Sequence, residues 1–215
     1  FSAAFVFQKL SSFAKKVVTV TGEFEQMHVA MTSIVGDLES ANRIWDQTIE
    51  LSKNSPFKAV ELVKYTRQLA AYRIETDKLH DTTKMLADVS AGLAVDMSRL
   101  ILAYGQVRAA EYLRGTELRQ FTEAGVPMLE ELASHFSELE GRAVSTAEAF
   151  DMISKRQVAF SDVEAVLEKM TSEGGPFYKM QEQMANTIKG SISTLKNEID
   201  LMMHDIGKSN SGLIK

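Results

Sequence analysis

The sequence predicts an all-α fold: an array of several short helices, flanked by a long heptad-like helix at the N-terminus and a second long helix near the C-terminus. Three observations predict it. Apolar residues recur at intervals of three and four along most of the 215 residues, no comparably sustained alternation marks a strand, and only three prolines interrupt the chain.

Leu10, Phe13, Val17, Val20, Phe24, Met27, Met31, Ile34 and Leu38 step by three and four without a break, laying one heptad seam along the first helix. The β-branched run from Val17 to Thr21 opposes it, as do Gly22 and Gly36, each glycine by up to about 1 kcal/mol relative to alanine. The period outweighs the propensity, and a kink is expected at Gly22. Proline at a first helical position gives up only an amide that lacks a partner there. Ser55-Pro56 and Val126-Pro127 therefore predict helix starts, and Gly175-Pro176 a turn.

Further stripes are Leu62, Tyr65, Leu69 and Tyr72, then Leu86, Val89, Leu93, Met97 and Leu100, then Leu129, Leu132, Phe136 and Leu139, and a shorter one of Val163, Val166 and Met170. Ser145 to Glu148 and Ser161 to Glu164 have the spacing of capping boxes. Met184, Ile188, Ile192, Leu195, Ile199, Met202 and Ile206 give the last long helix one apolar face. The expected division is a long N-terminal helical segment at 1–54, a multi-helix core at 55–178, a long C-terminal helix at 179–206, and a frayed tail or linker at 207–215.

A composition of 45% hydrophobic and 25% charged residues is that of a soluble globular protein. The net charge of -5 argues against a chain that coats nucleic acid, which needs clustered Lys and Arg. Stretches such as Val89 to Val95 are far shorter than the roughly 20 apolar residues of a membrane span. Without cysteine there is no disulfide, thiolate nucleophile or Cys-based zinc site. The chain opens on Phe1 without the features of a secretory signal and reads as a piece of something longer.

No catalytic, cofactor or metal site is expected. His28, His80, His135 and His204 are scattered, without the spacing of a ligand set. Glu130-Glu131 and Glu138/Glu140 read as helix faces, since an acid-base pair needs opposed carboxylates in a cleft. Gly174-Gly175 lacks the following Lys-Ser/Thr of a phosphate loop and reads as a turn. Gly105, Gly115 and Gly125 read as helix ends or close backbone contacts. Glu111, Arg114, Glu117, Arg119 and Glu123 read as a solvated charged surface. The methionines of the terminal helices, Met27, Met31, Met180, Met184, Met202 and Met203, read first as core packing and second as faces for partner helices.

The succession of motifs resembles the conserved N-terminal helical region of tail tape measure proteins of tailed bacteriophages and prophages. The resemblance rests on Ser55-Pro56-Phe57 with Gln68-Leu69, on Leu86 through Gly92-Leu93, and on Tyr104-Gly105-Gln106. It continues through Leu113-Arg114-Gly115-Thr116-Glu117-Leu118-Arg119-Gln120-Phe121 into Glu123-Ala124-Gly125-Val126-Pro127. Met152-Ile153-Ser154, Phe160-Ser161-Asp162-Val163 and Gly174-Gly175-Pro176-Phe177 follow in the same order. It covers roughly residues 40 to 205, and these motif positions are expected to be structural.

The resemblance implies a fragment of a protein that helps set tail length and organises tail tube assembly. Its partners would be tail tube subunits, tail assembly chaperones and other copies of itself. It would reside in the host bacterial cytoplasm during assembly and then in the virion tail. Two other readings compete: an unrelated helical coiled-coil interaction module, and a cell-wall hydrolase segment, the latter disfavoured because no nucleophile and base can be assigned by role.

Overall fold

The computed structural model describes residues 3–210, with side chains from residue 8 onward; among these are eleven α-helices and one isolated antiparallel bridge, between Tyr112 and Ala159. The protein is all-α, with long helices toward both ends.

Helix α1 (Ala3–Val35) continues without interruption past Gly22 and stops at Gly36, whose φ of +91° is the left-handed conformation that glycine adopts without a Cβ clash. Asp37 then caps α2 (Leu38–Lys53), accepting the Ser40 amide at 2.7 Å. The expected seam therefore breaks before Leu38, which starts a second helix and stands exposed. Helix α3 (Ala59–Ala71) begins three residues after Pro56, which lies in the preceding turn instead of at a first helical position. Pro127 likewise sits just outside α7 (Met128–Glu140).

The stripe from Leu86 to Leu100 belongs to two helices. Helix α4 (Leu79–Leu93) ends on Ala94 with φ +54°, and Asp96 caps α5 (Met97–Ala110) by accepting the Ser98 amide at 2.8 Å. Helix α6 (Gly115–Glu123) follows. At α8 (Thr146–Ser154) the box is closed: Glu148 accepts the Ser145 amide at 2.8 Å and donates its own amide to Ser145 Oγ at 3.2 Å. The second expected box is displaced, because α9 (Phe160–Thr171) starts before Ser161 and Asp162 accepts the amide of Ala159 at 2.7 Å. Met184 falls in a separate short helix, α10 (Met180–Ala185), and Thr187 caps α11 (Ile188–Ser209). Of the expected tail, residues 211–215 lie outside the described residues.

The core is organised about α4, which is buried from Met85 through Ala91 and packs against α2, α3, α5, α9 and α10. Leu62, Leu69, Leu86, Leu100, Tyr104, Phe121, Leu132 and Leu167 join it in one continuous cluster. Each such side chain contributes about 1.5–3 kcal/mol by leaving water. A smaller cluster of Val17, Val20, Phe24, Ala59 and Met203 ties α1 to α11 and α3. Here the helices approach so closely that a Cβ on Gly207 would lie 1.9 Å from Thr21 Oγ1.

Candidate docking surfaces

The motif positions are placed chiefly at turns and helix contacts. A Cβ on Gly92 would come within 2.5 Å of the Phe177 ring, and one on Gly105 within 2.2 Å of the Tyr72 ring. Gly105 lies inside α5 and so serves close packing, not a helix end. Gln106 accepts from Gln120 Nε2 at 3.1 Å across the α5–α6 pair. Gly115 opens α6 with free space around it. At the other end of α6, Gly125 takes φ +88°, and the amides of Gly125 and Val126 donate to Thr122 and Phe121 carbonyls, each at 2.9 Å. This is a Schellman closure, which satisfies carbonyls that the last helical turn leaves open, and Pro127 follows.

Phe160 packs edge-on against Tyr104 at 5.0 Å between ring centroids and lies beneath the Arg108 guanidinium. Burial and the Glu164 carboxylate, which accepts from Tyr104 Oη at 3.3 Å, push the Tyr104 phenol well above its ordinary pKa. Gly174 turns the chain with φ +86°, Gly175 has the Met170 carbonyl where a Cβ would stand, and the Phe177 amide donates to that carbonyl at 2.9 Å.

Glu117 departs from the expected solvated surface. Its side chain is 1% exposed and is held by two Arg114 hydrogen bonds, from Nε at 2.9 Å and from Nη2 at 2.6 Å. Leu118 is buried beside it, and Arg119 points outward toward Glu123 at 3.7 Å.

Two buried polar groups were not singled out from the sequence. Asp88 accepts the Gln181 amide at 3.0 Å and the Lys84 ammonium at 2.9 Å, which fixes α10 on α4; burial raises its carboxyl pKa against both contacts. Its signal is a lone carboxylate within the apolar run from Met85 to Ala91. Asn197 on α11 accepts the Ala59 amide at 2.8 Å and donates to Ser52 Oγ at 3.0 Å. Ser193 donates to the Pro56 carbonyl at 2.8 Å. Helix α11 thus holds the Ser55-Pro56-Phe57 turn through polar contacts. The signal for Asn197 is its position seven residues after Gly190 on the same face.

The apolar stripe of α11 faces away from this contact. Ile188, Ile192, Leu195, Ile199, Met202 and Ile206 are between 36% and 85% exposed, whereas Gly190, Asn197, Met203 and Gly207 are buried. On α1, Leu10, Phe13, Val29 and Ile34 are exposed as well. A contiguous apolar face such as that of α11 marks a protein, membrane or ligand interaction site.

The histidines are dispersed: His28 bonds Asn42 at 2.8 Å, His135 bonds Asp162 at 3.4 Å, and His204 stacks on Phe24. Among the described residues no three His, Asp or Glu side chains converge as a metal site, and no helix is long and apolar enough to cross a membrane.

These features define a class: an all-helical module whose motif residues shape turns and helix contacts and whose outer helices present apolar faces. The chain belongs to the tape measure protein family, which matches it over residues 15–208. That membership gives it a structural role in a phage tail. No curated protein and no solved structure matches the chain.

Proposed function

We propose that this chain is a folded assembly module of a tail tape measure protein, which helps set tail length and organises tail tube assembly through protein contacts and without catalysis. The family match over residues 15–208 carries this reading. A ruler draws on the 1.5 Å rise per helical residue, which converts chain length into distance. Here the helices turn back at Gly36, Ala94, Gly125 and Gly174, so the segment suits docking better than spanning. The partners in this proposal are tail tube subunits, tail assembly chaperones and other copies of the chain, met first in the host cytoplasm and then in the virion tail. The middle residues, 55–178, form its proposed core segment.

Co-purification of the 215-residue chain with tail tube subunits and with tail assembly chaperones tests the proposal. Retention of either, with loss on charge substitution of the exposed α1 or α11 stripes, is expected. Failure to retain either, while the full-length parent retains them, removes the docking role from this module.

A further inference from the structure

We propose that the C-terminal arm, α10 with α11, is a hinged strap that lifts from the body as one unit about Lys179 while the core around α4 stays folded. The inference goes beyond the docking role above and does not depend on it.

The arm is held with little apolar burial. Between Met180 and Ser209, Met203 is the one buried apolar side chain, whereas α4 alone buries Leu79, Met85, Leu86, Ala87, Val89 and Ala91. Because apolar burial is the chief favourable part of folding, the arm gains far less from its place than the core does. Polar contacts hold it instead: Asp88 with the Gln181 amide, Asn197 with Ser52 and the Ala59 amide, and Ser193 with the Pro56 carbonyl. Each of these exchanges for hydrogen bonds to water when the arm lifts, so its net contribution is small.

The same contact carries uncompensated groups. Gln181 is 0% exposed, yet neither its amide oxygen nor its amide nitrogen finds a partner in the protein. Nδ1 of His204, whose ring stacks on Phe24, and Oγ1 of Thr21, which faces Gly207, are buried and unpartnered in the same way. A polar atom so placed costs the docked state its lost hydration, and lifting restores it.

The chain has a joint where this motion needs one. Phe177 is fixed: its ring lies where a Cβ of Gly92 would stand, and its amide donates to the Met170 carbonyl at 2.9 Å. Two residues on, Lys179 takes φ +52°, a left-handed conformation that a side chain disfavours. Beyond it the two helices are locked together. A Cβ on Gly190 would lie 2.0 Å from the Met184 carbonyl, and Thr187 donates to that carbonyl from its amide at 3.1 Å and its hydroxyl at 2.7 Å. Helix α1 keeps its packing on α2 and α3 when the arm leaves. The lifted strap uncovers Asp88, Ser52 and the Ser55-Pro56-Phe57 turn, polar groups that the closed strap occupies.

Native-state hydrogen exchange of the 215-residue chain, with urea raised through the folded range, tests the strap. Amides in the middle of α10 and α11, and the Ala59 amide across the contact, should share one opening. That opening should be at least tenfold more populated than the one seen at Val89 and Ala91 in α4. Gln181→Met, which keeps the length of the side chain and removes both unpaired atoms, should lower the arm's opening at least fivefold. Ile101→Val, in the core, should raise the opening at Val89 and Ala91 at least twofold and leave the arm's unchanged, because the core is intact in the lifted state. Exchange of the arm only together with α4, separate openings for α10 and α11, an arm opening that follows Ile101→Val, or one indifferent to Gln181→Met overturns the proposal. If the Gln181→Met chain fails to fold, the unsubstituted chain and Ile101→Val still decide it.

Discussion

Gly105 and Tyr72 occupy the same space: the ring of Tyr72, at the end of α3, lies where the Cβ of any other residue at 105 would stand, 2.2 Å away. The nearest ring atoms include Cγ, so the whole ring must move to make room. Gly105→Ala should therefore destabilise the fold by about 1–3 kcal/mol through overpacking. Gly22→Ala, inside α1 with no atom within 4 Å of its added Cβ, should stabilise by about 0.5–1 kcal/mol. Urea unfolding of the two variants should give opposite signs; equal signs would show that the α3–α5 contact is looser than described.

Asn197 closes both ends of the α2–α3 turn at once. Asn197→Ala strands the buried Ala59 amide, at about 1–3 kcal/mol for the group left unpaired, while Ser52 Oγ keeps its bond to the Ile49 carbonyl. Faster hydrogen exchange at the Ala59 amide, together with a lower melting temperature, is the expected signature. An unchanged exchange rate there would mean that water takes over the asparagine's role.

The buried Glu117 carboxylate is held by two hydrogen bonds from Arg114. Arg114→Met should destabilise the fold, though less than for a fully buried pair, because the arginine is 47% exposed to solvent. Replacing both, as Arg114→Met with Glu117→Met, should recover part of the loss because no unpaired carboxylate remains. A double-mutant cycle measures this; strict additivity would remove the coupling.

Two carboxylates should respond to pH in opposite directions. Glu148, held by the Ser145 amide and by Arg142, has its pKa drawn down from 4.5 to about 2. The unfolded chain takes up that proton first, so the capping contribution is present above pH 4.5 and is lost as pH falls toward 2. Asp88 is raised above 3.8 by burial, so the folded state takes up its proton first. Its contribution is present below pH 3.8 and is lost as pH rises through the raised value. Acid titration of stability should lose its Glu148 component in Glu148→Gln, and Asp88→Asn, which keeps an acceptor for the Gln181 amide, should hold stability better at neutral pH than Asp88→Ala.

Much of the helix order is legible in the sequence because caps and turns are local. The Ser145-to-Glu148 box and the stop at Gly125 depend on residues within one or two turns of each other, and their chemistry is the same wherever the helix lies. The breaks at Ala94 and Gly36 were harder to see, since an unbroken three-and-four stripe spans each one. A stripe registers which residues are apolar and cannot distinguish one helix from two that share a core. Glu117 reads as surface for a related reason: it stands in a charged series with Arg114, Arg119 and Glu123, and only the packing of Leu118 and Phe121 inward carries the glutamate with them.

By itself the sequence determined that this protein is helical, where α8 starts, and that its motifs belong to the tape measure family. Only the tertiary structure decided which way α11 faces. Its period identifies an apolar side, but a helix packs by whichever side fits closest. Gly190, Gly207 and the hydrogen-bonding Asn197 allow a nearer approach to the body than the isoleucines do, so the apolar seam is left on the outside.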